Sequence, residues 1–383
     1  MNKTPFSMLR EHITYRIALS LVLALTFSLS LGVLQLAQAQ GPIIRVTVSG
    51  NPAQDGRDWA NATTLTQALA IASPGDEIWV ATGIYTPGTT VTDTFNLAPG
   101  VALYGGFAAT ETIRLERNWE ANPTILSGDI DGDDVTTAGV VLTTTDIVGD
   151  NSYHVLFADG TLGTPITETT VLDGLIITAG QANGNDDLSR RGGGLYCAGN
   201  GAGNECSPTF RNIIFSGNLV SNTVGITLTG GGAIYSTGSD GGTVNPIFNN
   251  VTFSGNSASN TAFSVTEGGA IFNDSTNGGT SNLTFQNVTF SDNSTTGGGG
   301  AISNSFGDNN ILTLSNITFT NNSASYGGAI YNLGGFTNTL TLTDVTFTNN
   351  SSSDGDGGAI ANSLGDNGTL TLTDVSFSNN SAN

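Results

Sequence analysis

Short runs of alternating apolar and polar residues recur along the second half of the chain. In the runs that end at Phe319 and Phe347, leucine, isoleucine or valine alternates mainly with threonine or serine. Successive side chains of a strand point to opposite faces, so this period of two predicts strands with one buried face. No convincing helical period occurs in this part of the sequence. We therefore expect the second half of the chain to be all-β.

Two short motifs alternate in step with these strands. The first is GGGLY at Gly192–Tyr196 and then Gly-Gly-Ala-Ile ending at Ile234, Ile271, Ile302, Ile330 and Ile360. The second is Phe-x-x-Asn, which pairs Phe215 with Asn218, Phe253 with Asn256, Phe290 with Asn293, Phe319 with Asn322, Phe347 with Asn350, and Phe377 with Asn380. Successive phenylalanines are 38, 37, 29, 28 and 30 residues apart. Short strands and tight corners at this period predict one coil of a β-solenoid per unit.

Each motif has a physical role in a stacked coil. The paired glycines supply the positive φ that a sharp corner between strands requires. Equivalent residues of neighbouring coils lie about 4.8 Å apart, so the phenylalanines would fill the interior and the asparagines would form a ladder of amide hydrogen bonds. A β-propeller fits less well, because one blade needs about 40–50 residues and four strands.

Residues 40–128 do not repeat, and we expect them to form an N-terminal cap and the first coils. Between Thr63 and Ala72, the residues Leu65, Ala68 and Leu69 share one helical face with Ala72. Thr63 or Thr64 is the expected N-cap, and Ser-Pro-Gly follows as a stop. Such a helix would cover the open end of the core and hide a strand edge. The β-helix itself would occupy residues 129–383, with repeats from about residue 190.

The first 39 residues have the pattern of an export signal. Lys3, Arg10 and Arg16 precede an apolar stretch from Ile17 to Leu36, and Ala37–Ala39 has the small-x-small pattern of a cleavage site. An uncleaved membrane anchor is the alternative, because the apolar stretch is long for a signal. We expect no membrane span in the mature segment.

The C-terminal end lacks the atypical capping unit that terminal repeats normally have. The chain stops at Asn383, directly after a Phe-x-x-Asn motif. We therefore expect it to be a fragment of a longer protein whose C-terminal anchor lies beyond this residue.

The net charge of the chain limits the classes of molecule that it can bind. The full chain has 10 basic and 31 acidic residues and a formal net charge of −21. Cleavage after Ala39 would remove Lys3, Arg10, Arg16 and Glu11, leaving seven basic and 30 acidic residues, a formal charge of −23 and no lysine. So acidic a surface repels nucleic acid and anionic lipid, which we exclude as partners.

The two motifs resemble the repeats of the chlamydial polymorphic outer-membrane proteins across residues 190–383. The front end, with GDEIWVATGIYTP, ALYGGF, ERNW and TILSGDIDGDD, is similar to the opening of bacterial proteins of the pectate-lyase-like superfamily. These resemblances imply an all-β, right-handed parallel β-helix with a short N-terminal capping helix. They also imply an extracellular or cell-surface location, in the outer membrane if the cell is of Gram-negative type. The chlamydial proteins are autotransporter-like adhesins.

One acidic cluster has the chemistry of a metal site. Asp129, Asp131, Asp133 and Asp134 alternate around a glycine, as in the opening of a calcium loop. The glutamate expected at the twelfth position of an EF-hand is absent, and such clusters also occur as solvated turns. Calcium is the only cofactor that the sequence suggests.

A second cluster offers catalytic candidates. Asp186 and Asp187 stand close to Arg190 and Arg191, just before the first Gly-Gly-Gly. Enzymes of the pectate-lyase-like superfamily use clustered aspartates, and their lyases add an arginine or lysine base. Aspartates adjacent in sequence usually diverge on a strand, so a solvated loop is the favoured interpretation.

Three further residues complete the chemical inventory. Cys197 and Cys206 are the only cysteines, and a close pair in an exported protein predicts a disulfide. His154 has no serine or cysteine near it in sequence, so we expect a packed strand residue and not a catalytic triad.

The sequence favours an adhesin or structural stalk that contacts a host-cell, matrix or glycan surface. A polysaccharide lyase or hydrolase is the alternative, supported only by fold analogy. A passive surface-layer component is the third hypothesis. Charge thins out along the repeats, where Arg211 is the only basic residue after Gly192, and an enzyme would need charged residues that converge on one flank.

Overall fold

Equivalent strands of successive coils pair with one another in parallel. The structure, a computed structural model, describes residues 41–222, 228–260, 266–305, 307, 309–334, 338–363 and 367–383. The predicted export signal, residues 1–39, lies outside the described residues. Pro42–Asn383 forms one compact unit, so the expected cap and repeats are parts of one continuous body.

The described residues form three stacked sheets and one two-stranded pair. Sheet 1 contains Phe95–Asn96, Leu156–Asp159, Leu195–Ala198, Ile234–Thr237, Ile271–Asp274, Ile302–Ser305, Ile330–Leu333 and Ile360–Ser363. Sheet 2 contains Ile43–Val46, Glu77–Ala81, Gly83–Tyr85, Ala102–Phe107, Thr124–Ser127, Val171–Asp173, Ile176–Thr178, Thr209–Ser216, Thr243–Val244, Ile247–Ser254, Thr280–Ser291, Asn309–Thr320, Thr339–Thr348 and Thr369–Ser378. Sheet 3 contains Gln181–Ala182, Leu219–Asn222, Ser257–Asn260, Ser294–Thr295, Ser323–Ala324, Ser351–Ser352 and Ser381–Ala382. The separate pair joins Thr229–Gly230 with Thr266–Glu267.

This arrangement confirms the predicted all-β parallel β-helix. In each repeat the chain passes through sheet 1, sheet 2 and sheet 3 in turn, and then returns to sheet 1 one coil further along. The strands of neighbouring coils pair in parallel and in register, so like residues stack on like residues.

A single short α-helix is described near the N-terminus. It spans Leu65–Ile71, and Thr64 caps it by accepting a hydrogen bond from the backbone N–H of Gln67 at 3.3 Å. Leu65, Ala68 and Leu69 are buried and belong to the main core. Three 3₁₀ turns also occur, at Trp59–Asn61, Arg114–Glu116 and Thr144–Asp146. No helix among the described residues is long and apolar enough to cross a membrane.

The interior is filled by stacked aromatic rings. The phenylalanines of the six Phe-x-x-Asn motifs lie in register, with ring centroids 4.8–5.0 Å apart and ring planes within 6° of parallel. A second column, Phe210, Phe248 and Phe285, meets the first one edge to face. Leucines continue this second column in the later coils. The core is therefore a continuous apolar rod that each coil extends.

The six motif asparagines form an amide chain, which we call the corner ladder. They are Asn218, Asn256, Asn293, Asn322, Asn350 and Asn380. The first five are buried and Asn380 is partly exposed. The Nδ2 of each of the first five donates to the next Oδ1 at 2.9–3.0 Å. Asn322 is representative. Its Nδ2 also donates to the Phe290 carbonyl at 3.0 Å, and its Oδ1 also accepts the backbone N–H of Asn293 at 3.1 Å. Each interior amide thus uses both donors and both acceptor sites.

The residue just before each corner asparagine has a left-handed backbone. These residues are Gly217, Gly255, Asp292, Asn321, Asn349 and Asn379, with φ between 54° and 61°. Glycine, asparagine and aspartate tolerate this region best, which explains why only these types occupy the position. The turn it creates directs the chain from sheet 2 into sheet 3.

The two glycines of Gly-Gly-Ala-Ile have different tasks. The first one has positive φ, for example 69° at Gly231 and 63° at Gly268. The second one lies against the neighbouring coil, and a Cβ at Gly269 would sit 2.2 Å from the Gly300 carbonyl oxygen. The sharp corner needs the first glycine, and the close stacking of coils needs the second.

A second ladder runs along sheet 1 and was not expected from the sequence. Ser236, Asn273, Asn304, Asn332 and Asn362 stack in register. Their side chains are joined by hydrogen bonds of 2.7–3.0 Å. Each of these residues lies two positions after the isoleucine of its Gly-Gly-Ala-Ile motif, a spacing visible in the sequence.

We predict that the corner ladder carries stability. Asn322→Ala removes an amide that is fully buried and leaves the partners on both neighbouring coils unpaired. We expect a loss of about 3 kcal/mol in the free energy of unfolding, the upper end of the range for an unsatisfied buried group. Thr313→Ser, on the outer face of sheet 2, should change it by less than about 0.5 kcal/mol. Urea unfolding measures both, and equal stabilities would contradict a structural role for the ladder.

Candidate functional site

Arginines and aromatic rings cluster on the outer face of sheet 2 in the first coils. The Arg114 guanidinium lies 4.5 Å from the Tyr104 ring centroid and forms an ion pair with the buried Glu77. Arg117 pairs with Asp173 at 2.7 Å, and both side chains are largely buried. These contacts fasten the segment after Phe107 onto the sheet, so the arginines are engaged in structure. The sequence reasoning missed this cluster, because its members do not repeat.

The acidic cluster forms part of a loop that packs against residues 148–151. Ligand oxygens of Asp129, Asp133 and Asp134 all lie within 4.8 Å of one another. Asp131 is turned toward the backbone, and its carboxylate accepts the N–H of Asp150 at 3.1 Å. Clustered surface carboxylates also occur without a cation, so calcium binding here stays a prediction of the sequence.

Burial and mutual repulsion shift the pKa values in this loop. Burial raises the pKa of Asp134 to about 6, although its carboxylate accepts hydrogen bonds from the Val148 N–H and from Asn151 Nδ2. Partial desolvation and the neighbouring Asp131 carboxylate raise the pKa of Asp133. The hydrogen bond from Asp150 lowers the pKa of Asp131. The loop therefore holds negative charge at neutral pH under electrostatic strain.

The four catalytic candidates do not converge on one point. Arg190 is buried, and its guanidinium donates to the backbone carbonyls of Gly184 and Asn185. Arg191 donates to the Leu228 carbonyl at 3.1 Å, and its guanidinium lies 5.0 Å from the Tyr235 ring centroid. Both cations are thus engaged in holding loops.

The two aspartates of this group lie on the exposed side of the same loop. Asp186 Oδ1 accepts the backbone N–H groups of Leu188 and Ser189, at 3.1 and 2.9 Å. The N–H of Ser189 lowers the pKa of the Asp186 carboxyl. Asp187 is exposed. The loop offers one fixed, ionised carboxylate, and Asp186 is the candidate that lines a cavity.

Cys197 and Cys206 are joined by a disulfide in the structure. The bond links Cys197, in the sheet 1 strand Leu195–Ala198, to Cys206, in the segment that precedes the sheet 2 strand Thr209–Ser216. Both cysteines are buried and belong to the main core. The disulfide therefore holds the first repeat together.

An aromatic column lines the outer face of sheet 1. Phe157, Tyr196, Tyr235 and Phe272 occupy the same register position in four successive strands. Their ring centroids are 5.5, 5.2 and 5.3 Å apart in that order. Tyr235 and Phe272 are buried, whereas Phe157 is partly exposed. The column thus reaches the surface at its N-terminal end.

A cleft of about 360 Å³ opens at this end of the column. Its lining residues are Thr92, Thr94, Asn96, Tyr153, His154, Phe157, Asp186, Leu188 and Ser189. They come from the segment around Phe95–Asn96, from the start of the strand Leu156–Asp159, and from the loop that contains Asp186. Three parts of the chain far apart in sequence therefore build one concave surface.

His154 is a packed residue on the wall of this cleft. It is 7% exposed, and its Nδ1 lies 3.0 Å from the Gly192 carbonyl oxygen. Burial lowers the pKa of His154 to about 4, so the imidazole is neutral at physiological pH.

The similarity of the chain to known proteins lies in its repeats. Five segments match the Chlamydia polymorphic membrane protein repeat, at residues 212–237, 250–274, 287–305, 316–333 and 344–363. These segments are similar to the repeats of that family. Each matched segment begins at a residue of sheet 2 with φ of 52–57° and ends at the last residue of a sheet 1 strand. Each matched segment therefore contains one residue of each ladder. No curated protein and no solved structure matched the chain.

We predict that protonation of Asp134 affects stability with a defined sign. The folded chain holds this proton more tightly than the unfolded chain does, so stability falls as the pH rises from about 4 to about 6. Asp134→Asn removes this effect, so the melting temperature of the variant minus that of the parent should be more positive at pH 7.5 than at pH 4. Thermal unfolding by circular dichroism measures both values.

Asp93→Asn is a matched control with the opposite sign. The N–H groups of Thr90 and Thr89 lower the pKa of Asp93, so its contribution to stability is present at neutral pH and is lost as the pH falls. The difference between this variant and the parent should be more negative at pH 7.5 than at pH 4. The same pH trend in both variants would contradict the assigned shifts.

Calcium binding, if the sequence prediction holds, should raise the melting temperature by mass action. The parent chain is compared in millimolar calcium and in excess chelator at pH 7.5. We expect a higher melting temperature with calcium, and no such difference for Asp133→Asn. Equal melting temperatures of the parent in both buffers would rule out a site of useful affinity.

Proposed function

We propose that the chain is a surface-exposed β-helical stalk with an adhesive role. The observation that carries this proposal is the run of five matched polymorphic membrane protein repeats within a rigid, in-register solenoid. A solenoid of this kind presents an extended surface and holds it at a fixed distance from its point of attachment. Repeats of a membrane-protein family support a location at the cell surface.

The outer face of sheet 2 in the repeats is better suited to binding another surface than to catalysis. Thr252, Thr289, Thr318, Thr346 and Ser376 form one outward column of sheet 2. A neighbouring outward column consists of Ser254, Ser291, Thr320, Thr348 and Ser378. Hydroxyl groups repeated from coil to coil offer weak, regular hydrogen bonding, and they include no acid or base of the kind that catalysis requires.

The enzymatic alternative has weaker support. A lyase acting on acidic glycans needs a cation that faces the substrate and neutralises its carboxylate. Arg190 and Arg191 are engaged with backbone carbonyls and with Tyr235. The negative charge of the whole chain would also repel a polyanion at long range.

The adhesive role is tested with the exported chain coupled to fluorescent beads. We expect retention of these beads on host-cell, extracellular-matrix or glycan-coated surfaces, above that of beads carrying an unrelated acidic protein of similar size. The matched control has similar charge, so it separates specific contact from electrostatic adsorption. Retention no greater than the control on every surface would overturn the adhesive role.

We further predict that the exported chain does not cleave polygalacturonate or alginate. The assay contains these polysaccharides and calcium, and it measures both unsaturated products and new reducing ends. Turnover that is abolished by Asp187→Ala or Arg190→Ala would overturn the stalk proposal and locate an active site at the start of the repeats.

A further inference from the structure

The cleft beside Phe157 ends a column of aromatic rings. In register order the column is Phe272, Tyr235, Tyr196 and Phe157, and the next position is Asn96. Asn96 is exposed and lines the cleft together with Phe157. A small polar residue therefore stands where another ring would continue the column. This leaves a place beside Phe157 for the flat apolar face of a ligand.

The rim around this place is rich in groups that hydrogen-bond. Thr92 and Thr94 supply hydroxyls, Asn96 supplies an amide, and Asp186 supplies a carboxylate. The Ser189 hydroxyl is held by the backbone of Asp186. Small-molecule sites typically combine an apolar surface with a few placed polar groups. A pyranose ring has this character, because it presents C–H groups on its faces and hydroxyls around its edge.

Charge in the cleft selects against an acidic ligand. None of the described residues that line it is a lysine or an arginine. The nearby Arg190 is turned to the carbonyls of Gly184 and Asn185. Asp186 faces the cleft as an anion, which repels a uronate but accepts hydrogen bonds from hydroxyls.

The walls of the cleft are fixed before any ligand binds. On one side, the Asp93 carboxylate accepts the N–H groups of Thr89 and Thr90 at 2.8 Å. The N–H of Tyr153 donates to the carbonyl of Val91 at 2.8 Å and ties this segment to the cleft floor. On the other side, Arg190 closes the loop that contains Asp186. A preformed site loses little conformational entropy on binding.

We propose that this cleft binds one neutral pyranose unit of a glycan and supplies a specific contact of the adhesive stalk. The inference rests on the proposed function and names the class of ligand. The volume of about 360 Å³ lies near the lower end of the range for small-molecule sites, about 300–1,000 Å³, which suits one sugar unit.

The test uses the purified exported chain and a panel of methyl pyranosides. Neutral sugars form one arm, methyl uronides the second, and simple alkylamines the third. Isothermal titration and saturation-transfer NMR measure affinity and contact. We expect binding of at least one neutral sugar, weaker or no binding of its uronide, and contact between the sugar ring and the chain.

Asn96→Trp is the decisive variant. An indole at this exposed position would continue the aromatic column and occupy the sugar's place, so affinity should fall at least about tenfold. Gln286→Trp places the same side chain at an exposed position on sheet 2, away from the cleft, and should bind like the parent. Asp186→Ala should also weaken binding, while its circular dichroism spectrum and melting temperature report whether the fold is kept.

Each other outcome overturns a defined part of the proposal. No binding of any neutral sugar by the parent overturns the site, and preference for the uronide or the amine overturns the ligand class. Unchanged affinity in Asn96→Trp overturns the location. Bead retention on glycan surfaces is measured in parallel. If Asn96→Trp loses sugar binding but keeps retention, the cleft is not the adhesive contact. If the parent binds sugar without retention, the proposed adhesive role fails and the sugar site stands.

Discussion

The closed hydrogen bonding of the corner ladder is the constraint on which the rest of the fold depends. An interior asparagine has all four of its amide sites occupied, and its side-chain and backbone partners lie on the neighbouring coils. A coil that slipped by one residue would leave buried donors and acceptors unpaired and would turn its phenylalanine away from the core. The ladder thus fixes register, and register in turn stacks the rings, the glycine corners and the second ladder of sheet 1.

This constraint acts on the strands and corners but leaves the connecting segments free. Successive motif phenylalanines are 38 and 37 residues apart in the first repeats and 28 to 30 residues apart in the last three. The paired strands nevertheless keep their register throughout. Added residues are therefore accommodated in loops, which tolerate insertion at small entropic cost. The cleft lies where such connecting loops pack beside sheet 1.

The sequence was most informative where it repeats. The Phe and Asn columns follow from a period near 30 and from the pairing of like residues in parallel coils. The sheet 1 ladder carries the same kind of signal, since Asn273, Asn304 and Asn332 stand two residues after an isoleucine. The Gly-Gly-Ala-Ile motif ends two residues before this position, so the motif alone does not indicate the ladder.

The cleft and the arginine cluster could not be found in this way. Asn96, Phe157 and Asp186 are brought together by loops that have no counterpart in the other coils, and sequence spacing gives no measure of their distance. The pair Arg190 and Arg191 illustrates the converse case. The two residues are adjacent in sequence, yet their guanidinium groups bind carbonyls of different segments, at Gly184 and Leu228.

Repeated and unique surfaces imply different kinds of binding. A ligand that recognised the hydroxyl columns of sheet 2 would meet nearly the same surface on every coil, so weak contacts would add through multivalency and give little selectivity. Among the described residues, the proposed sugar cleft lies where an aromatic column ends and two loops supply polar groups, so a ligand bound there would have one-to-one stoichiometry. A stalk that has both surfaces could gain selectivity from the cleft and strength from the repeats. Because register is fixed by buried amides, loop residues around the cleft can change without loss of the ladder, so the residues that we propose to bind the ligand are separate from those that fix the register.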